Sequence, residues 1–336
     1  MSRVNALFSP SRRLVLGSVA GVGLASAYPF AMAQTASAWP QRPVKWIVSQ
    51  PGGAGPDILA RFIAESLSKT WGQNVIVENR PGGQNVIGAQ AAARSAPDGY
   101  TFYYATTAAM ITNRFTFKTL PYDVDKDFVP IAFIGRSPFV IAANPAAGFK
   151  TLSDAMAQAK AQPEKVTIAT EGPKTFSGIL AASVGAMADV NMTQVSYTKG
   201  SDGIQDVIGG RVALVCLPEA ALLSFIKSGQ LQALAISTAQ RLPSLPSVPA
   251  LSETFRGFEY TGWNGIYGPT GIPPDVVTKI NRDVVALLKQ PESIQRLLSL
   301  GSIADAGMSP AEFLNFMVAE RDRWAGIVRA IGLKPE

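Results

Sequence analysis

The sequence predicts an α/β protein whose chain crosses twice between two lobes. Three observations support this fold class. Short β-branched or aromatic runs alternate with amphipathic helical stretches, which is typical of helices covering a largely parallel sheet. A glycine-rich turn joins the first predicted strand to the first predicted helix. Two later segments leave and rejoin the first α/β block.

The strands are predicted from short apolar runs bounded by turn residues. They cover residues 44–48, 75–77, 101–105, 131–134, 139–143, 166–169, 195–197, 212–217 and 233–237. Helices are predicted where apolar residues recur at helical spacing. They cover residues 57–69, 88–94, 152–161, 176–187, 203–208, 220–227, 275–289, 291–298 and 310–331. In the first helix, Leu59, Ile63 and Leu67 share one face, and Gly72 supplies a stop.

The predicted lobes are not sequential along the chain. Residues 138–145 leave the first α/β block, and residues 257–274, rich in glycine and proline, lead to a helical tail long enough to pack back on that block. We therefore assign residues 39–142 plus 263–336 to a first lobe and residues 143–262 to a second lobe. Two crossings form a hinge, and small ligands usually bind in the cleft between such lobes.

Residues 1–33 are interpreted as a cleaved export signal. Arg3, Arg12 and Arg13 precede an apolar run, and Ala31-Met32-Ala33 has the small-x-small pattern of a cleavage site. The arginine pair also resembles a twin-arginine signal. An uncleaved membrane anchor is the alternative, which the glycines within the apolar run disfavour. Either export route carries the protein across the inner membrane.

Charge and composition exclude several classes of function. The formal charge of +6 falls to about +3 once the signal, with three arginines and no acids, is removed. Lysines and arginines are scattered without a basic stripe, so we expect no nucleic-acid partner. The chain has no histidine, so we expect no metal site, catalytic triad or cofactor. Cys216, the only cysteine, lies in an apolar run typical of a buried strand thiol.

Residues 50–57, here called the glycine loop, read Gln-Pro-Gly-Gly-Ala-Gly-Pro-Asp and form the most informative motif. The loop has few side chains and leads into a helix, so its backbone N–H groups can hold a small anion. An ordinary strand-to-helix turn is the alternative. Gly52, Gly53 and Ala54 are the candidate binding residues. Asp57 is either a first-turn acid favoured by the helix dipole or a cleft-facing acceptor.

Thr106 and Thr107 are further candidates, because they end a predicted strand of the same lobe. Ligands of open α/β folds usually bind at that edge of the sheet. Threonine is also common in loops, so a purely structural role is the alternative.

Several segments in one order along the mature chain carry a family resemblance. They are Pro51-Gly52-Gly53 with Asp57 and Arg61, Gly72-Gln73, residues 77–82, residues 97–101, Leu120-Pro121-Tyr122-Asp123, Tyr197 with Lys199-Gly200-Ser201, Gly209-Gly210, Pro246-Ser247-Val248-Pro249 and Gly268-Pro269. With these segments the chain resembles the Bug (TctC-like) substrate-binding proteins of tripartite tricarboxylate transporters. The resemblance implies a two-lobed periplasmic binding protein of type II. With the export signal, we expect a monomer located in the periplasm. The resemblance also implies a small carboxylate as ligand and a membrane permease as partner.

The resemblance further places an opposing loop in the second lobe, here called the facing loop, at residues 170–177. Its candidate binding residues are Thr170, Gly172, Lys174 and Ser177, with Tyr197, Gly200 and Ser201 beside them. The facing loop departs from the small residues usual in the family.

Four side chains of these segments have structural alternatives. Lys174 is either a cation for the ligand or a solvated loop lysine. Ser177 either binds ligand or caps the following helix. Phe176 either stacks on a flat ligand or anchors the core. Trp263, near the second crossing, is expected to pack in the hinge.

The function expected from these features is reception of a small organic acid, a dicarboxylate or an aromatic carboxylate, without chemistry. One alternative is a sensory receptor that carries its acid to a membrane kinase. Another is an enzyme on the same scaffold, with Asp57, Glu171 and Lys174 as acid–base residues.

Overall fold

A computed structural model describes residues 39–163 and 165–336, so the predicted export signal lies outside the described residues. The described chain forms two sheets with helices packed on them. The strands are β1 Val44–Val48, β2 Val75–Asn79, β3 Thr101–Thr106, β4 Phe128–Ser137, β5 Phe139–Ala143, β6 Thr167–Thr170, β7 Thr193–Ser196, β8 Leu214–Pro218, β9 Gln232–Ile236, β10 Gly262–Pro269 and β11 Ile303–Ala304.

The α-helices follow the strands in the alternating order that the sequence predicts. They are α1 Gly55–Trp71, α2 Val86–Ala93, α3 Asn113–Thr116, α4 Val124–Asp127, α5 Leu152–Ala161, α6 Phe176–Ala188, α7 Gly200–Ile208, α8 Glu219–Lys227, α9 Leu251–Thr254, α10 Pro274–Leu288, α11 Pro291–Ser299 and α12 Pro310–Ala330. A π-helical turn, Ala108–Thr112, precedes α3. Within the described ranges, none of the helices combines the length and the apolarity needed to span a bilayer.

The two sheets are mixed, and the expectation of largely parallel pairing is wrong. The first sheet has the order β11-β4-β10-β3-β1-β2, and the second has the order β7-β6-β8-β5-β9. β1 pairs with β2 and β3 in parallel, as β6 does with β7 and β8. The strands next to the crossings pair antiparallel instead: β10 with β3 and β4, and β5 with β8 and β9. Hydrophobic periodicity carries no information about strand direction, so the sequence could not distinguish these two arrangements.

The chain passes between the sheets at two adjacent crossings. Pro138 separates β4 of the first sheet from β5 of the second, and the chain returns between β9 and β10. Ser237 joins the crossings: its N–H donates to the Phe139 carbonyl at 2.9 Å, and its carbonyl accepts from the Tyr260 N–H at 2.9 Å. These contacts form a two-stranded hinge and confirm the predicted pair of crossings.

Apolar residues cover both faces of the first sheet. On one face, Trp46 packs with Ile63 of α1 and Ile280 of α10 in a single buried cluster. The next residue of β1, Ile47, points into another core that continues through the hinge to the second sheet. This alternation is the side-chain pattern of a strand with two covered faces.

β10 is the main element that the sequence analysis missed. All eight of its residues are buried, although the strand contains Gly262, Gly265 and Gly268 and ends in a proline. At Gly265 an added Cβ would lie 2.5 Å from Cζ of Phe313 on α12. Glycine is therefore required here by the close approach of a helix and does not mark a loop.

Candidate ligand-binding cleft

Asp57 holds the glycine loop in place. The side chain of Asp57 is 2% exposed. It accepts hydrogen bonds from the Gly53 N–H at 2.8 Å, Arg61 Nε at 3.0 Å and Asn79 Nδ2 at 2.7 Å. Burial alone would raise the pKa of Asp57, but these donors together hold it below its usual value. Asp57 therefore positions the loop and is not a cleft-facing acceptor in this structure.

The loop that Asp57 holds leaves backbone donors unused. Gly53 has φ of +84° and Ala54 is the N-cap of α1, so the chain turns sharply into the helix. Among the described residues, the N–H groups of Gly52 and Gly55 have no acceptor. Unused N–H groups at the amino end of a 17-residue helix favour an anion there.

The two candidate threonines, Thr106 at the end of β3 and Thr107 directly after it, have different environments. Thr107 accepts from the Trp263 N–H at 2.7 Å and donates to the Trp263 carbonyl at 3.3 Å, so it joins the end of β3 to β10. The Thr106 hydroxyl is buried without a partner among the described residues. Thr106 therefore keeps a free hydroxyl at the carboxyl end of β3, while Thr107 is structural.

Sequence reasoning did not select as binding residues Gln50, which begins the glycine loop, or Asn85, which lies beside it. Gln50 Nε2 donates to Asn85 Oδ1 at 2.8 Å, and Gln50 Oε1 is buried without a described partner. Gln84 and Asn85 both have positive φ, of 51° and 77°. Such strain in non-glycine residues concentrates at functional sites. The preceding Gly82-Gly83 pair was the available sequence signal, because it marks a tight turn.

The facing loop is braced by its own hydroxyl groups. Thr170 Oγ1 accepts from the Gly172 N–H at 3.2 Å, and Ser177 Oγ accepts from the Glu171 N–H at 3.0 Å. The N-cap of α6 is Thr175, whose Oγ1 accepts from the Gly178 N–H at 3.3 Å. Ser177 therefore neither caps the helix nor presents a free hydroxyl.

Lys174 fits neither of its sequence interpretations. Its Nζ lies 2.6 Å from Glu336 Oε1, and its side chain is only 19% exposed. The Glu336 N–H donates to the Thr116 carbonyl at 3.0 Å, and its carbonyl accepts from the Lys118 N–H at 2.8 Å. The ion pair lowers the pKa of Glu336. Lys174 therefore links the facing loop to the chain's last residue, beside α3.

Phe176 is an anchor in the hinge. Its ring centroid lies 4.5 Å from those of Phe139 and Tyr260 and 5.5 Å from that of Trp324 on α12. These four residues, here called the hinge cluster, are buried. Phe176 is thus enclosed on several sides by other aromatic rings. Trp263 is 1% exposed, and its indole N–H donates to Glu320 at 3.2 Å, so it packs near the hinge as expected.

Residues 197–201 flank the facing loop. The Tyr197 N–H donates to the Thr170 carbonyl at 2.9 Å, and its hydroxyl donates to Asp206 at 2.5 Å. Desolvation, followed by the Asp206 carboxylate, raises the pKa of Tyr197 to about 12. Gly200 begins α7, and Ser201 is exposed. Tyr197 therefore supports the facing loop, and Ser201 is accessible.

The residues that could support chemistry are separated or occupied. Cys216 is fully buried, and burial raises its pKa, so its thiol is a core group. In residues 39–163 and 165–336, no three acidic or cysteine side chains are grouped closely enough to hold a metal ion. Asp57 is bound to Arg61, and Lys174 is bound to Glu336. Two of the three groups of the hypothetical acid–base set are therefore engaged elsewhere.

Comparisons with known proteins agree with this architecture. The model of the TctC family, described as the tripartite tricarboxylate transporter family receptor, matches residues 59–333. Protein BugT of Bordetella pertussis is 31% identical over 319 residues, which cover 94% of this chain and 97% of BugT. An R. palustris protein solved with adipate has a TM-score of 0.81 and 29% identity, over 89% of this chain and 100% of its own. MatC from Rhodopseudomonas palustris, with bound malate, has a TM-score of 0.76 and 27% identity, over 86% of this chain and 100% of its own.

Proposed function

Because the chain belongs to the tripartite tricarboxylate transporter receptor family of periplasmic solute-binding proteins, we propose that it binds a small organic acid between its lobes. It then delivers the acid to a membrane permease of the tripartite tricarboxylate type. The observation that carries this proposal is the pair of unused N–H groups in the glycine loop, at the amino end of α1.

The loop suits a carboxylate because its donors are fixed before the ligand arrives. Asp57 ties Gly53 to Arg61 and Asn79, so the ligand does not have to order the loop. The negative charge of Asp57 is balanced by Arg61, 3.0 Å away. Hydrogen bonds from backbone N–H groups to an ionised carboxylate are among the stronger ones in proteins.

An aliphatic acid fits the site better than an aromatic one. Phe176, which motivated the aromatic alternative, is packed in the hinge cluster. Two structural relatives hold adipate and malate, which are aliphatic. We therefore place a small aliphatic carboxylate between the glycine loop and the facing loop.

Hinge closure is the proposed mechanism of capture. The two lobes would comprise residues 39–142 plus 263–336 and residues 143–262. They rotate about the crossings that Ser237 joins. A ligand that touches both loops stabilises the closed arrangement by its differential affinity for it. The working unit in this proposal is a monomer in the periplasm, and no catalytic step is required.

Ligand panels in thermal-shift and calorimetric assays test the proposal. An acid present at a hundred times its Kd should stabilise the fold by about 2.7 kcal/mol through mass action. Gly52→Leu places a side chain over the donors without steric conflict, since an added Cβ would lie 3.9 Å from Asn79 Oδ1. We expect this variant to fold and to lose binding.

Gly307→Leu is the matched control. An added Cβ there would lie 3.9 Å from Asp305 Oδ1, and the site is exposed. This variant should keep the parent affinity. The proposal fails if no carboxylate in a broad panel binds the parent protein, or if Gly52→Leu binds as tightly as Gly307→Leu.

A further inference from the structure

The carboxyl ends of β1 and β3 form a crevice in the first sheet. These two strands are neighbours and run in parallel. Helix α1, which follows β1, packs on the sheet face that carries Trp46. The π-helical turn that follows β3 packs on the opposite face, which carries Ile47. The chain therefore leaves the two strands in opposite directions, and open α/β sheets bind their ligands in the crevice at such a point.

Gln50 and Thr106 lie at this crevice, one at the end of each strand. The parallel register pairs Val48 with Tyr104. Gln50 and Thr106 follow these two residues by two positions each, and neighbouring strands lie about 4.8 Å apart. Gln50 is also the first residue of the glycine loop, which leads directly into α1. Both residues are therefore next to the proposed carboxylate site.

Each of the two residues has a buried polar atom without a partner. Within residues 39–163 and 165–336, no group forms a hydrogen bond with Gln50 Oε1 or Thr106 Oγ1. The neighbouring amides do not complete them. Gln50 Nε2 donates to Asn85 Oδ1 at 2.8 Å. Asn264, the register partner of Thr106 on β10, donates to Ser137 Oγ at 3.0 Å. Because unpaired buried polar atoms are costly in free energy, these two indicate a ligand group that pairs with both.

The chemistry of the two atoms favours a hydroxyl group. An amide oxygen such as Gln50 Oε1 is only an acceptor, and so is an ionised carboxylate, so these two groups cannot bond to each other. A hydroxyl group can donate to Gln50 Oε1 and accept from the Thr106 hydroxyl at the same time. An ammonium group could donate, but it would need a negative charge beside it. The nearby acid Asp57 already accepts three hydrogen bonds.

We propose that Gln50 and Thr106 form a hydroxyl subsite beside the glycine loop, so that the preferred ligands are 2-hydroxycarboxylates. This inference rests on the proposed function and specifies its ligand class. The carboxylate accepts from the unused N–H groups of Gly52 and Gly55, and the hydroxyl group bonds to Gln50 Oε1 and Thr106 Oγ1. Because the two strand ends are adjacent, this hydroxyl group is on the carbon next to the carboxylate and not at the far end of the ligand.

Isothermal titration at neutral pH with two series of matched acids tests this inference. One series contains butyrate, 2-hydroxybutyrate and 2-aminobutyrate, and the other contains succinate, malate and aspartate. Within a series that binds, the parent protein should bind the hydroxy acid most tightly. Thr106→Val removes the hydroxyl group and keeps the branched shape. Its affinity for the hydroxy acid should fall roughly twofold to tenfold, the loss of one neutral hydrogen bond. Its affinity for the unsubstituted acid should be unchanged, and Thr106→Ser should keep the parent preference.

Thr101→Val is the matched control, because Thr101 begins β3 at the opposite edge of the sheet. It should change none of the affinities. In urea unfolding without ligand, Thr106→Val should be no less stable than the parent protein, because its hydroxyl group has no partner to lose.

Three results would overturn the inference. The parent protein could bind the unsubstituted acid or the amino acid at least as tightly as the hydroxy acid. Thr106→Val could weaken the binding of all members of a series equally, or it could unfold at a lower urea concentration than the parent protein. Binding of carboxylates without a preference for the hydroxyl group overturns this inference alone, whereas binding of none overturns the proposed function as well.

Discussion

Asp57 of the glycine loop and Glu171 of the facing loop have opposite electrostatic environments. Asp57 is buried but receives three hydrogen bonds, which lower its pKa. Glu171 is exposed but has no cation beside it, and its pKa is raised. The donors to Asp57 favour its ionised form, whereas burial around Glu171 disfavours the ionised form of that carboxyl group. Residue type alone did not distinguish these roles, because the donors to Asp57 come partly from Asn79, 22 residues away.

Asp57→Asn should destabilise the ligand-free protein. An amide keeps the volume but cannot accept from all three donors, so Arg61 and Asn79 lose part of their bonding. Loss of hydrogen bonds to a buried ionised group predicts a decrease of about 1–3 kcal/mol in the free energy of unfolding, measured in urea. Glu65→Gln on the same helix is the control, because the Glu65–Lys69 pair is exposed and should contribute little.

The difference between Asp57→Asn and the parent protein should depend on pH. The ordinary pKa of Asp57 is 3.8 and the folded value lies below it. The contribution of the ionised carboxylate is therefore fully present above the ordinary value and is lost as pH falls through the folded value. The stability gap should be constant near neutral pH and shrink as pH falls below the ordinary value of 3.8. A gap that widens in acid would contradict the assigned hydrogen bonds.

At the scale of secondary-structure elements, several glycines act as spacers where elements approach closely. The missing side chain of Gly265 leaves room for Phe313 of α12 against β10. The missing side chain of Gly178 leaves room for the facing loop against the first turn of α6. At Gly178 an added Cβ would lie 2.0 Å from the Gly172 carbonyl oxygen. The sequence analysis read residues 257–274 as a crossing because it took glycine as a loop former. The strand within that range depends on a contact with residue 313, which local sequence cannot show.

The same substitution should have opposite effects in two helices. Gly178→Ala forces the facing loop away from α6, because the atoms that the new Cβ would meet belong to the backbone of Gly172 and Pro173. We expect the free energy of unfolding to fall by roughly 1–3 kcal/mol and ligand binding to weaken. Gly326→Ala in α12 meets no atom within 4 Å. It should stabilise the protein by roughly 0.4–1 kcal/mol, because alanine has the higher helix propensity. Urea unfolding of both variants measures the contrast, and an equal response would refute the spacer role of Gly178.

At the scale of the whole molecule, the sequence predicted the two crossings and most strand positions, because these depend on local apolar runs and breaks in them. β1, β5 and α5 have the predicted bounds. The fold itself was implied by the ordered family segments. Contacts between distant parts of the chain were not predictable in this way. Lys174 and Glu336 are 162 positions apart, and nothing in the local pattern around either residue indicates the other.

The Lys174–Glu336 ion pair should favour the closed arrangement of the lobes before ligand binds. It connects the facing loop to a residue whose backbone is fixed to Thr116 and Lys118. Lys174→Met keeps the apolar stem and removes the charge, and Glu336→Gln removes the partner. Each variant should increase the radius of gyration of the ligand-free protein in X-ray scattering. The double variant should expand it no further, because both substitutions remove the same interaction.

High salt should also expand the parent protein, but not the variants, since the exposed carboxylate of Glu336 is readily screened. Because the charge of Lys174 is already balanced, Lys174→Met should weaken monocarboxylate and dicarboxylate binding by the same factor. Lys160→Met is the control, since the Lys160–Asp189 pair lies 3.3 Å apart between α5 and the end of α6, within the proposed second lobe. If it expands the protein as much as Lys174→Met does, the ion pair of Lys174 has no special part in closure.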